Sequence, residues 1–458
     1  SGDIQALNTD IANLSTAAFN ALTSDQLAAM TTDQIAGLDS ADVAALTPAA
    51  VVGLNSAQLN ALSSSAFTAL STADLAALTS EAIAGLTTAQ IGTLSTLEIQ
   101  ALNTDIANLS TAAFNAMTSD QLAAMTTDQI AGLDSADVAA LTPAAVVGLN
   151  SAQLNALSSS AFTALSTADL AALTSEAIAG LTTAQIGTLD SGDIQALNTD
   201  IANLSTAAFN ALTSDQLAAM TTDQIAGLDS TDVDALTSEA LTGLSSDQLT
   251  ALSSGAFEGM NTEDLDALTS AAIAGLTPAQ VGTLDSTELQ ALNTDIANLS
   301  TAALHTLTSD QLAAMTTDQI AGLDSADVAA LTPAALVGLS SDQLNALSSS
   351  AFEGMSTADL SALTSESLSG LTTAQVGTLS TSEIQALNTD IANLSTAALQ
   401  ALTSDQLGAL TTAQIAGLDS ADVAALTSSA MTGLHSDQLG ALSSSAFEGM
   451  NSADLSAL

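Results

Sequence analysis

Carboxylates are the only abundant ionisable groups in this chain. Its 458 residues include 49 Asp and Glu, no Lys or Arg, no Cys, no Tyr, no Trp and two histidines. Nucleophilic chemistry needs a Ser, Thr or Cys beside a base, with donors for the developing oxyanion. Ser and Thr are plentiful, but the only bases of that kind, His305 and His435, lie far apart in different local contexts. They read as drifted surface positions. The expectation is therefore no enzyme, no catalytic residue, no cofactor-binding residue and no metal-ligand set. Asp10, Asp33 and Asp42 recur at places that read as first helical turns, where the helix dipole favours negative charge. Rows of stacked carboxylates would repel, and Ca²⁺ could relieve that with oxygen ligands. No EF-hand or glycine–aspartate nonapeptide is present. Solvated helix-start charge is the primary reading, with divalent cations the alternative.

The sequon Asn-Leu-Ser occurs at Asn13, Asn108, Asn203, Asn298 and Asn393. Its regularity follows from internal repetition, so glycans are a weak expectation. O-linked sugars on Ser and Thr are weaker still, because helix capping accounts for those residues. With no basic residue, nucleic-acid binding and attraction to an anionic membrane surface both lack their cationic partner. Low aromatic content with high acidity can mean disorder. Here 47% of residues are hydrophobic, mean hydropathy is +0.40, and the apolar residues fall in rhythm. The chain reads as folded. No apolar run approaches the roughly 18 residues of a membrane span.

What positions these groups is one eight-residue phrase. From Asn8 to Leu458 the chain divides into units ending in Leu or Met. Position one is Thr, Ser, Asp or Asn in all units but that of His435. Position two is Ser, Thr or Pro, and position five is Leu, Ile, Val, Phe or Met. In Thr31–Leu38, Thr31 is a good N-cap and Gln34 completes a capping box, with Met30 and Ile35 placed as a hydrophobic staple. Pro48, Pro143, Pro278 and Pro333 all occupy position two, the first helical residue, where a missing N–H is harmless. Most glycines, Gly37 and Gly53 among them, occupy positions six or seven, where a short helix can end and the chain turn.

These signals predict an all-α solenoid with one capped helix of about five or six residues per unit. A single long helix fails, because eight residues advance about 800° and the apolar stripe would wander. A β-solenoid is the alternative, although its apolar spacing would be two. Helices this short are unstable alone, so positions five and eight must face a shared axis and be sheltered by neighbouring units. All eight phenylalanines sit at position five and read as core.

One unit is a residue short: NTDIANL, at 8–14, 103–109, 198–204, 293–299 and 388–394. The array therefore has 95-residue super-repeats at 8–102, 103–197, 198–292, 293–387 and an incomplete 388–458, forming one continuous array over 1–458. Twelve units per super-repeat is compatible with two, three, four or six units per coil, and the missing residue would adjust local twist. The first two super-repeats are almost copies, differing for instance at Leu22 and Met117. The chain opens inside a unit, which suggests a piece of a longer protein.

The phrases LTSDQLAAM, LTTDQIAGL and LTTAQIGTL resemble the LTxxQhxxL repeats of large bacterial secreted and cell-surface proteins. The resemblance implies an adhesin, surface-layer or extracellular-fibre role and transfers no active or binding residue. The expected function is a structural extracellular rod or self-assembling filament at or beyond a bacterial cell surface. Stacked helices about 10 Å apart, two to four per coil, would give a length of roughly 150–300 Å. The main alternative is the stalk of a large adhesin whose binding tip lies elsewhere. Ice binding by Thr pairs such as Thr31–Thr32 is a minor one. Expected partners are further copies joined end to end, with divalent cations or surface glycans second and no membrane insertion.

Overall fold

A computed structural model of the chain describes residues 2–458. They fall into two compact units, one ending at Gly227 and the other beginning at Leu228. Both are built in the same way. Among the described residues every sequence unit is one helix: 53 are α-helices of four to six residues and five are 3₁₀ helices. The described residues contain no strand, which overturns the β-solenoid alternative.

Local chemistry sets each helix. Thr31 is extended (φ −76°, ψ 159°), its hydroxyl accepts from the Gln34 N–H, and Gln34 Oε1 accepts from the Thr31 N–H at 2.9 Å. The same reciprocal box forms at Ser95–Glu98 and Asp285–Glu288. Where the helix stops, position eight swings to extended backbone, as at Leu62 (φ −63°, ψ 131°), and the next cap follows, also extended. Two extended residues thus make each corner.

This corrects the expected role of glycine. No glycine among the described residues has positive φ, and Gly37 ends its helix in the right-handed region (φ −80°, ψ −10°). The corner turns without a left-handed residue. Gly53 and Gly148 are needed instead for close approach, since a Cβ there would overlap the backbone carbonyl of Ser24 and Ser119 in the coil below.

Coils contain three helices. Thr32–Ala36 packs against Ser56–Ala61, that helix against Ser80–Ile83, and that one against the 3₁₀ helix Asn103–Asn108. Each neighbour is three units on. In the second compact unit, Ser270–Ile273 meets Asn293–Asn298 and Ser365–Leu368 meets Asn388–Asn393 in the same relation. Of the coil sizes the sequence left open, three is the one adopted. Counting units from each heptad, units one, four, seven and ten form a first column, and the next two sets form a second and a third. Because twelve is a multiple of three, the heptad returns to the first column throughout each compact unit.

The heptads depart from the expected capped helix. Asn8, Asn103, Asn198, Asn293 and Asn388 have φ between 44° and 53° and are the only non-glycine residues with positive φ in the described chain. The residue before is right-handed (Leu102, φ −67°, ψ −5°), and no side chain caps the 3₁₀ helix that follows. Losing one residue removes the extended corner. A left-handed Asn replaces it, and Asn tolerates that region because its short side chain is not β-branched and bonds locally.

Positions five and eight form the core as expected: Leu27 and Ile35 are fully buried, and Met30 and Leu38 nearly so. Phenylalanines occupy units two and eight, all in the second column. There Phe19, Phe67 and Phe114 alternate with the smaller Val43 and Ile91. Position four is buried in most units and half-buried in others, such as those of Asp42 and Glu98, which the sequence reading missed.

Candidate functional surface

Position four decides how coils are tied together. Where it is Gln, one amide does two jobs. Gln153 Oε1 accepts from the N–H of its own cap, Asn150, at 3.0 Å. Its Nε2 donates to the carbonyls of Leu122 at 3.0 Å and Met125 at 2.7 Å, one coil below. Those carbonyls lie at a helix end, where Leu122 O also accepts from the Met125 N–H. Gln58, Gln90, Gln280, Gln343 and Gln375 repeat the arrangement with buried side chains. Over the heptads, Gln34, Gln129, Gln224 and Gln319 donate to the carbonyl of the left-handed Asn at 2.9–3.0 Å. Where position four is Ala the amide bridge is lost, although Ser367 restores one bond, to Leu339 O at 2.5 Å.

Other side chains link coils on the outside. Gln5, Gln100, Gln195, Gln290 and Gln385 each donate to an alanine carbonyl 24 residues on, at 2.6–2.9 Å. Ser80, Ser175, Ser270 and Ser365 donate to the carboxylates of Asp105, Asp200, Asp295 and Asp390 at 2.5–2.6 Å. Each of these serines supplies a donor to the heptad aspartate of the next coil.

Asp33 is exposed at its helix start, whereas position four of the ninth units is buried. Asp74, Asp264 and Asp454 are buried there and accept from their own cap N–H groups. In the fifth units two carboxylates share one helix start. Asp134 accepts from the N–H of Ala136 and Asp137, while Asp137 accepts from the Asp134 N–H. Burial holds the Asp137 carboxyl above the usual carboxylate range. The Asp134 backbone bond works against this and the Asp134 charge adds to it. Asp193, Asp232, Asp327 and Asp422 are raised for the same reasons, each beside the carboxylate of its own cap.

His305 is exposed, and its Nδ1 lies 3.0 Å from Ala330 O, the kind of link that Asn115 makes to Ala140 O. His435 is an exposed cap whose N–H donates to Gln438 Oε1 at 2.8 Å. The two are not brought together. Asn108, Asn203, Asn298 and Asn393 of the sequons donate to the carbonyl three residues back at 3.0–3.2 Å, closing the 3₁₀ helix. Asp234, Glu258 and Glu288 line one open cleft of about 460 Å³. Among the described residues no three His, Asp or Glu side chains converge in a metal-holding geometry.

The ALTTAQ repeat family matches twelve segments, covering 1–230 and 257–420. The chain belongs to the ALTTAQ repeat family. The Leu-Thr-Thr-Ala-Gln run is the corner, cap and position-four Gln described above, seen at Leu86–Gln90. No curated protein matches the chain. Among solved structures, the leucine-rich repeat-containing protein LegL7 from Legionella pneumophila aligns over 66% of this chain and 80% of its own. It is 15% identical with a TM-score of 0.12, too low to carry a likeness of fold. No helix among the described residues is long and apolar enough to cross a membrane.

Proposed function

We propose that this ALTTAQ repeat array is a structural element, a rod or filament segment at or beyond a bacterial cell surface, and that it is neither an enzyme nor a cofactor carrier. The observation that carries this reading is that each coil is completed by the next. Position-four amides reach one coil down, and positions five and eight are covered from both sides. In the coil 435–458, Phe447 is 38%, Leu455 55% and Leu458 47% exposed. The matching Phe352, Leu360 and Leu363 of an inner coil are 1–4% exposed. An inner coil is thus closed by the coils on either side of it, and end-to-end association of copies is a further part of the proposal. The absence of Lys, Arg and Cys fits exposure to proteases and oxidants outside a cell.

Electron microscopy of the purified chain, with and without a chelator, tests this. Uniform filaments or rods that persist with chelator support a structural role with self-association. Separate compact particles at every concentration contradict it. Filaments that dissolve on chelation would make divalent cations part of the assembly. In native material, a stalk bearing a globular tip would favour the adhesin reading, and immunolabelling confined to the cytoplasm would refute the extracellular location.

A further inference from the structure

The ninth unit of each super-repeat sits over the sixth in the third column, and the pair occurs in two chemical versions. In all five copies the ninth-unit aspartate, Asp74, Asp169, Asp264, Asp359 or Asp454, is at most 5% exposed. In each, Oδ2 accepts from the N–H of its own cap at 2.8–3.1 Å. The other oxygen depends on what lies 26 residues earlier, at position two of the sixth unit. Ser238 Oγ donates to Asp264 Oδ1 at 2.7 Å, and Ser428 Oγ to Asp454 Oδ1 at 2.7 Å. The same place holds Pro48 beneath Asp74, Pro143 beneath Asp169 and Pro333 beneath Asp359. Proline has neither hydroxyl nor N–H to offer. Asp74 Oδ1 and Asp169 Oδ1 are buried and receive no hydrogen bond from the protein.

A buried carboxylate oxygen without a donor loses its hydration and recovers nothing in exchange. Opening the contact returns water to it, so the folded coil is favoured less there than where serine donates. We infer that position two of the sixth unit sets how firmly the third column closes, and that the Asp74 and Asp169 contacts are the points where the first two super-repeats open first. Solenoid stability is close to a sum of local and nearest-neighbour contributions, so a weak contact stays local. The serine version in the third super-repeat closes the same contact. The chain thus carries yielding contacts over Pro48 and Pro143 and firm ones over Ser238 and Ser428, set by the residue at one position.

Amide hydrogen exchange on the full chain tests this with the paired variants Pro48→Ser/Pro143→Ser and Pro48→Ala/Pro143→Ala. Both sets lose the fixed φ of proline, so their difference isolates the hydroxyl. The serine set is expected to exchange more slowly than the alanine set at residues 71–78 and 166–173, by about tenfold or more, the factor a hydrogen bond to a charged group carries. Equal rates, or faster exchange with serine, would overturn the inference. Ser238→Ala gives a second reading that does not depend on the proline variants: exchange at 261–268 is expected to rise by a similar factor, and no change there counts against the proposal.

Discussion

The seventh unit and the ninth unit face the same problem and answer it with different groups. Each has a buried side chain at position four, an N-cap above it to satisfy and a coil beneath. Gln153 accepts from its cap with the carbonyl half of its amide and donates to Leu122 and Met125 with the nitrogen half. Asp169 accepts from its cap just as well but has no hydrogen to give, and its second oxygen is left without a partner from the protein. An amide matches a carbonyl-rich helix end below it, whereas a carboxylate needs a donor there, and only Ser238 and Ser428 supply one in this column. Capping alone does not distinguish the two units. The coil beneath does.

The largest effect that would sharpen this comparison comes from making one unit resemble the other. Gln153→Glu keeps the cap acceptor but turns the buried donor into a charge facing two carbonyls. It is expected to lower the free energy of unfolding by about 3–5 kcal/mol in urea titration. Gln153→Ala, which only removes the bridge, should cost about 1–3 kcal/mol. Equal losses would mean that the donor half of the amide does not matter.

Next in size are the glycines that let coils approach. Gly148→Ala would press a methyl group into the Ser119 carbonyl, with an expected cost of about 1–3 kcal/mol. Gly132→Ala, where the nearest atoms are 3.4 Å or more away, should be neutral or stabilising by up to about 1 kcal/mol. A similar loss at both would show that close approach between coils is not what distinguishes the two glycines. At the heptads, Asn103→Ala is expected to cost about 1–2 kcal/mol for its left-handed backbone. Asn103→Gly should stay close to the parent, as thermal melts would show.

The smallest effect separates carboxylate units from amide units by pH. Asp137, Asp193, Asp232, Asp327 and Asp422 have raised folded-state values, so the folded chain holds protons more tightly than the unfolded chain. Their unfavourable contribution is fully present above the raised values. It fades as pH falls through them toward the ordinary carboxylate value, so stability rises with acidification. The urea midpoint is expected to increase from pH 7 to about pH 4.5. The cap substitutions Asp134→Asn and Asp324→Asn, which preserve capping, should flatten that slope.

The helices and their boundaries were legible because their signals span only three or four residues. Thr31 with Gln34, a proline at position two and an apolar residue at position five each act within one unit, and every unit became a helix. The super-repeat was legible for the same reason, as direct repetition. Glycine was misread at position seven, because a helix end is the usual reason to expect it there. Its actual reason, the Ser24 or Ser119 carbonyl, lies in another coil. The left-handed Asn of the heptads was signalled only by a missing residue.

The sequence by itself determined that short capped helices must bury positions five and eight against neighbours, since that follows from local bonding and apolar spacing. Only the tertiary structure decided that three helices close a coil, that position four belongs to the core, and which carboxylates find a donor. Those outcomes depend on atoms 24 to 31 residues apart meeting at hydrogen-bond distance. A repeat of eight is equally compatible with coils of several sizes until side-chain reach and backbone contact choose among them.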